Sequence, residues 1–182
     1  MNNTNNPLRH NRQSLRLKDY DYSTHGLYFI TIVTQNRECL FGNVIEGEML
    51  LNDAGRSVAS WYWKTENNFN GLLCQEMIVM PNHFHCIWLI DDISTAESGQ
   101  THGSAPTKTT IPNVLQWFKT MTTNDYIRNV RSHNWPPFPK RLWQRNYYEH
   151  IIRNSQEYNT IAEYIISNPQ KWEDDSLNPT CL

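Results

Sequence analysis

Periodic segments follow one another along this chain in the order strand, helix, strand, strand, helix, strand, helix, and that order limits the fold more than any single motif does. Residues 27–34 are rich in β-branched and aromatic types and predict the first strand. Within residues 41–52, Glu46-Gly47-Glu48 between apolar neighbours predicts a small hairpin. Asp53 is placed to cap a helix whose apolar positions, Val58, Trp61, Tyr62 and Phe69, recur at helical spacing. Two strands, 72–80 and 83–90, flank Pro81-Asn82, and residues 94–110, rich in Ser, Thr and Gly, predict a long loop. A second helix is expected over 112–130, with Val114, Leu115, Phe118, Met121 and Ile127 on its apolar side. Pro136, Pro137 and Pro139 then interrupt the chain before a strand over 142–151 and a last helix over 155–168.

The first six elements fit a split βαβ arrangement, so the expected class is α+β: a ferredoxin-like βαββαβ antiparallel sheet with an additional C-terminal helix. In that arrangement two helices cover one face of the sheet, and the other face is left to the last helix. At 182 residues the chain suits one domain, expected over 26–170, between a basic arm at 1–25 and a tail at 171–182. No apolar stretch approaches the ~20 residues that span a bilayer. Residues 1–6 lack the apolar core of a signal peptide, so a cytoplasmic location is expected. Cys39, Cys74, Cys86 and Cys181 are scattered without metal-knuckle spacing and read as reduced thiols.

A net charge of -2 alone argues against nucleic acid, but the charge is unevenly placed. Residues 1–20 carry Arg9, Arg12, Arg16 and Lys18 against Asp19 alone, and residues 108–153 carry eight lysines and arginines against Asp125 and Glu149. A basic face on a nearly neutral protein is compatible with that pattern.

His83-Phe84-His85 is the sharpest local feature. Alternation on a strand puts both imidazoles on one face, where they can chelate one ion, and turns Phe84 and Cys86 to the other. A bare pair of this kind is equally the mark of two ordinary strand histidines. On the last helix, Asn154 and Glu157 form a capping-box pattern, and Pro169 ends the helix at Asn168. Tyr164 and Asn168 are four residues apart and share a face with Ile161 and Ile165. That stripe either delivers a phenol and an amide oxygen to the histidines or is a core tyrosine followed by a helix-terminal cap.

Three runs bear on the choice: Met80-Pro81-Asn82-His83-Phe84-His85, residues 142–153 (Leu-Trp-Gln-Arg-Asn-Tyr-Tyr-Glu-His-Ile-Ile-Arg), and Tyr164-Ile165-Ile166-Ser167-Asn168-Pro169. Together with residues 17–34, including Tyr20-Asp21-Tyr22-Ser23 before Gly26, they resemble the REP-associated tyrosine transposases. That family is related to the single-tyrosine HUH transposases of bacterial insertion sequences. The resemblance runs in the same order over nearly the whole chain. It implies a DNA strand transferase dependent on Mg2+ or Mn2+, with His83 and His85 as the HUH pair, Asn168 as third metal ligand and Tyr164 as the nucleophile that forms a 5′-phosphotyrosine. Asn168 stands where the insertion-sequence relatives carry a glutamine. The loop at 94–110 departs from the pattern.

Tyr147 and Tyr148 are rival nucleophiles that face opposite sides of a strand, and Tyr158 lies about 120° around the helix from Tyr164. Lys119, Arg145 and Arg153 are candidate DNA contacts, as are Arg9, Arg12 and Arg16 of the arm. The expected partner is a DNA hairpin with a single-stranded flank, bound by a monomer, with a homodimer as the alternative. Rival functions are a hairpin-binding protein that does not cleave, a replication or conjugation nickase of the same chemistry, and a structural zinc module.

Overall fold

The computed structural model describes residues 25–91 and 109–179. Among these residues six strands and three α-helices follow in the order β1 (Gly26–Val33), β2 (Gly42–Ile45), β3 (Glu48–Leu51), α1 (Asp53–Lys64), β4 (Leu72–Val79), β5 (His83–Ile90), α2 (Ile111–His133), β6 (Tyr148–Ile152) and α3 (Ser155–Ser167). Among the described residues four strands form one antiparallel sheet in the order β4-β5-β1-β6, and β2 pairs with β3 in a second, two-stranded sheet. The result is the α+β architecture expected, an antiparallel sheet followed by a C-terminal helix.

Strand alternation sorts the sheet into two apolar layers. Tyr28, Ile30 and Ile32 of β1 and Phe84, Cys86 and Trp88 of β5 face α1 and α2, meeting Val58, Tyr62, Val114, Leu115 and Phe118. Phe29, Ile87 and Ile152 face the opposite way and meet Ala162 and Ile165 of α3. Burial of Ile165 contributes about 2 kcal/mol to holding α3 on the sheet. β4 has an irregular register between Cys74 and Met77. The buried Tyr62 hydroxyl serves that irregularity, donating to the Ile87 carbonyl at 2.7 Å and accepting from Gln75 N–H at 2.9 Å. The β2–β3 turn has Glu46 and Gly47 both at positive φ, the geometry a two-residue hairpin turn requires. A Cβ at Gly47 would stand 3.6 Å from Gln170, so this turn abuts the segment after α3.

Elements α1 and β6 differ in their bounds from the sequence reading. The N-cap of α1 is Asn52, whose side chain accepts from Gly55 N–H, and the helix stops at Lys64 rather than reaching Phe69. The Asn- and Gly-rich stretch after Thr65 supplies turns in place of further helix. The strand expected over 142–151 is regular only over Tyr148–Ile152. Residues 142–144 still bond to the end of β1, through Gln35 N–H to Leu142 O and Gln144 N–H to Val33 O, both 2.8 Å. Where the chain leaves the ladder, the Gln144 and Arg145 carbonyls accept from the Lys119 ammonium, at 2.9 and 3.4 Å.

The last helix begins as its capping residues predict: Glu157 N–H donates to Asn154 Oδ1 at 2.8 Å, and Arg153 N–H donates to Glu157 Oε2 at 2.7 Å. Past Ser167 the chain tightens into a 3-10 helix, Asn168–Asp174. The described part of the segment read as a tail packs against the sheet: Asn178 is buried, and Ser176 O accepts from the Arg37 guanidinium at 2.9 Å.

Candidate active site

Asn82, fully buried just before β5, organises the site. Its Nδ2 donates to two backbone carbonyls, Arg37 O at 3.1 Å and Leu177 O at 2.8 Å. Carbonyls only accept, so this fixes which end of the amide is oxygen. The oxygen, Oδ1, stands 2.9 Å from His83 Nδ1. An amide oxygen also only accepts, so Nδ1 of His83 carries the proton and Nε2 is left with its lone pair. Nε2 is buried and has no hydrogen-bond partner. Burial pushes the His83 pKa down to about 4, against the smaller opposing influences of Asp175 and Asn168, and the ring is neutral at pH 7.

His85 lies on the same face of β5. Its ring centre is 4.6 Å from that of His83. Register places it opposite Thr31 of β1, and Thr31 Oγ1 lies 2.7 Å from His85 Nδ1. Its Nε2 faces the Tyr164 hydroxyl at 3.4 Å. Burial, and then the neighbouring His83, hold the His85 pKa well below its usual value.

One turn of α3 separates Tyr164 from Asn168, and both meet the histidine face. Tyr164 is partly exposed, and its ring lies edge-on to Phe29 and to His85. Partial burial and the charge of Asp175 raise its pKa, so the resting phenol keeps its proton. Asn168 is buried where α3 gives way to the 3-10 helix, and its Oδ1, like His83 Nε2, has no partner. The four residues singled out by the sequence, His83, His85, Tyr164 and Asn168, therefore come together.

Among the described residues there is no trio of His, Cys, Asp or Glu arranged to hold a metal ion. The donor set here is different: two neutral imidazoles and an amide oxygen. Two buried acceptors without a donor are costly to leave unpaired. A divalent cation answers that need, and the tautomer of His83, set by Asn82, is the one a metal ligand requires. The residues fit such an ion.

The rival tyrosines are placed elsewhere. Tyr147 packs with the α1/α2 layer under the Lys119 ammonium. Tyr158 donates to Glu76 Oε2 at 2.6 Å. Tyr148 is exposed on the α3 side, with its ring edge-on to Phe29 and ring centres 6.1 Å apart.

Among the candidate DNA contacts, Arg153 lines a groove of about 610 Å³ with Phe29, Tyr148 and His150 on the α3 side. Lys119 and Arg145 line a separate cleft of about 730 Å³ with Lys140 and Arg141. The helix that carries Lys119 covers the opposite face of the sheet from His83 and His85, so this lysine is not brought to the histidines. Arg9, Arg12 and Arg16 lie outside the described residues, as does nearly all of the 94–110 loop. Sequence reasoning missed three supporting residues. Asn82 was visible only as part of a turn, Thr31 depends on strand register, and Asp175, whose Oδ2 is 3.7 Å from His83 Nε2, lay in the expected tail.

No family model matches the chain. A Haemophilus influenzae protein of uncharacterised function is 38% identical over 175 residues, covering 92% of this chain and 93% of its own length. A second protein of Haemophilus influenzae, described as a candidate REP-associated tyrosine transposase, is 24% identical over 83% of this chain and 74% of its own length. The REP-associated tyrosine transposase of Escherichia coli is 26% identical over 52% of this chain and 42% of its own length. Among solved structures, a REP-associated tyrosine transposase bound to a REP hairpin superposes with a TM-score of 0.56 at 20% identity, over 86% of this chain and 74% of the other, a likeness of fold. With the histidine pair on a central strand and the tyrosine on the helix that follows the sheet, these relationships lead to one conclusion: the chain is a distant relative of the REP-associated tyrosine transposases in sequence and resembles them in fold.

Proposed function

We propose that this protein cleaves and rejoins single-stranded DNA beside a hairpin, with Tyr164 as nucleophile and a divalent ion, Mg2+ or Mn2+, held by His83, His85 and Asn168. The observation that carries the reading is the pair of buried acceptors, His83 Nε2 and Asn168 Oδ1, left without a partner next to the Tyr164 hydroxyl. When bound, the ion supplies positive charge to a scissile phosphate, which would otherwise repel the nucleophile.

The chain's own residues do the rest. Asn82 and Thr31 hold the two rings in place through their Nδ1 atoms. Phe29, Ile161 and Ile165 hold the face of α3 that presents Tyr164. The Tyr164 oxygen attacks phosphorus and gives up its proton, the bond from phosphorus to the 3′ oxygen breaks, and that oxygen takes up a proton. The products are a 5′-phosphotyrosine and a free 3′-hydroxyl. Attack by a 3′-hydroxyl reverses the step, so the bond energy is kept and no nucleotide triphosphate is needed.

The strand order β4-β5-β1-β6 supports the ferredoxin-like reading of the sheet. We place the catalytic domain over 26–170, with the described part of the following segment folded back onto it through Leu177 O and Asn82, the arm at 1–25 and the exposed Arg145 and Arg153 as phosphate contacts, in a monomer acting in the cytoplasm. The hairpin in the solved relative's complex supports a hairpin partner for this chain. Among the described residues no helix is long and apolar enough to cross a membrane.

A labelled DNA hairpin with a single-stranded flank, incubated with Mn2+, should be cut in the flank, while a plain duplex stays intact and EDTA abolishes the reaction. Tight hairpin binding with no cutting in any divalent ion would mark a protein that binds without cleaving.

A further inference from the structure

Strand register sets one row of side chains across the face that α3 covers. Thr31 of β1 pairs with His85 of β5 on one side and with Tyr148 of β6 on the other, so the three share that face. Two strand spacings put Tyr148 roughly 10 Å from His85 along the row. Phe29 links this tyrosine to the site: its ring stacks on His85 and lies edge-on to both Tyr164 and Tyr148. Tyr148 is 53% exposed, and among the described residues β6 is the outer strand of the sheet. The buried side chain that β6 gives to the α3 layer is Ile152, so the fold does not rest on the tyrosine ring.

Tyr148 lines the groove of about 610 Å³ between β6 and α3, within the usual size of a small-ligand site. The carboxylate of that lining, Glu157, is held at both oxygens: Oε1 lies 2.6 Å from His150 Nε2, and Oε2 accepts from Arg153 N–H at 2.7 Å. Arg153 is exposed at the same groove. An aromatic ring beside a guanidinium suits unpaired nucleotides, because every base has a face to stack and every link has a phosphate to bind. A base stacked within a duplex has no free face, so the occupant is single-stranded.

We propose that the groove between β6 and α3 is a base-binding subsite for the single-stranded flank: Tyr148 stacks on one nucleobase beside the scissile phosphate, and Arg153 holds a neighbouring phosphate. The inference rests on the proposed reading of hairpin DNA as partner, and it gives Tyr148 a positioning role in place of a nucleophilic one.

The test is hairpin binding in EDTA, with the fluorescent base aminopurine placed at each flank position in turn. In wild type one position should lose most of its fluorescence on binding, as a base stacked on an aromatic ring does. Tyr148→Phe should keep that quenching, whereas Tyr148→Ala should lose it and bind ~10-fold or more weakly. An abasic nucleotide at the same position should cost wild type as much and cost Tyr148→Ala nothing further, a coupling that a merely structural tyrosine would not show. Arg153→Gln should keep the quenching and lower the salt slope by about one contact. No quenched position in wild type, unchanged quenching in Tyr148→Ala, or losses that simply add overturn the subsite and leave cleavage by Tyr164 standing. A wild type that shows the coupling but never cuts with Mn2+ upholds the subsite and overturns the cleavage reading instead.

Discussion

Asn82 Oδ1 accepts the Nδ1 proton of His83 at 2.9 Å, and through that bond a buried amide decides which ring nitrogen faces the site. Asn82→Ala removes this acceptor and also strands the Arg37 and Leu177 carbonyls. Mn2+ affinity should fall ~10–100-fold, as for the loss of a residue that orients a ligand. Stability should drop by about 1–3 kcal/mol for the polar groups left unpaired. Titration and denaturant melts measure the two effects separately. An affinity unchanged in Asn82→Ala would mean that His83 is not a ligand.

The arrangement of the candidate site was legible in the sequence to the extent that it is local. Alternation placed His83 and His85 on one face and Phe84 on the other, and the helical repeat joined Tyr164 to Asn168; the structure has all of these relations. The support around them depends on tertiary contacts. Thr31 meets His85 only because β1 pairs with β5 in one register. Asp175 reaches His83 only because the chain turns back after Pro169 instead of leaving the domain. The strand over 142–151 read as continuous because its residue types favour strand. A lysine from another helix takes the carbonyls at Gln144 and Arg145, and no local pattern encodes that.

Lys119 offers a pH test. Burial pulls its ammonium pKa down to about 8, so it is charged at pH 7 and neutral well above pH 8. In the unfolded chain it stays charged up to 10.5, so the unfolded state binds the proton more tightly and this group's contribution to stability rises with pH between 8 and 10.5. If its cleft holds DNA phosphate, Lys119→Met should weaken hairpin binding several-fold at pH 7 and match wild type at pH 9.5. Equal binding at pH 7 would assign the lysine to the Gln144 and Arg145 carbonyls alone.

Hairpin affinity should fall steeply with salt, because each phosphate contact releases counterions. Deleting residues 1–18 removes Arg9, Arg12, Arg16 and Lys18 and should flatten that salt slope as well as weaken binding. A truncated chain with an unchanged slope would take the arm out of the DNA interface.

Attack by a protein hydroxyl leaves the protein joined to DNA, whereas hydrolysis by water does not. The most direct measurement is therefore peptide mapping of wild-type protein after reaction with hairpin DNA and Mn2+, alongside Tyr164→Phe. The variant loses one oxygen but keeps the ring that packs on Phe29, so fold and hairpin binding should persist. The account predicts an adduct that survives denaturation, sits on Tyr164 and carries the 5′ phosphate of the downstream fragment, with no adduct in Tyr164→Phe. An adduct on Tyr148, which lies on the same side of the sheet, or cleavage without any adduct, would contradict it.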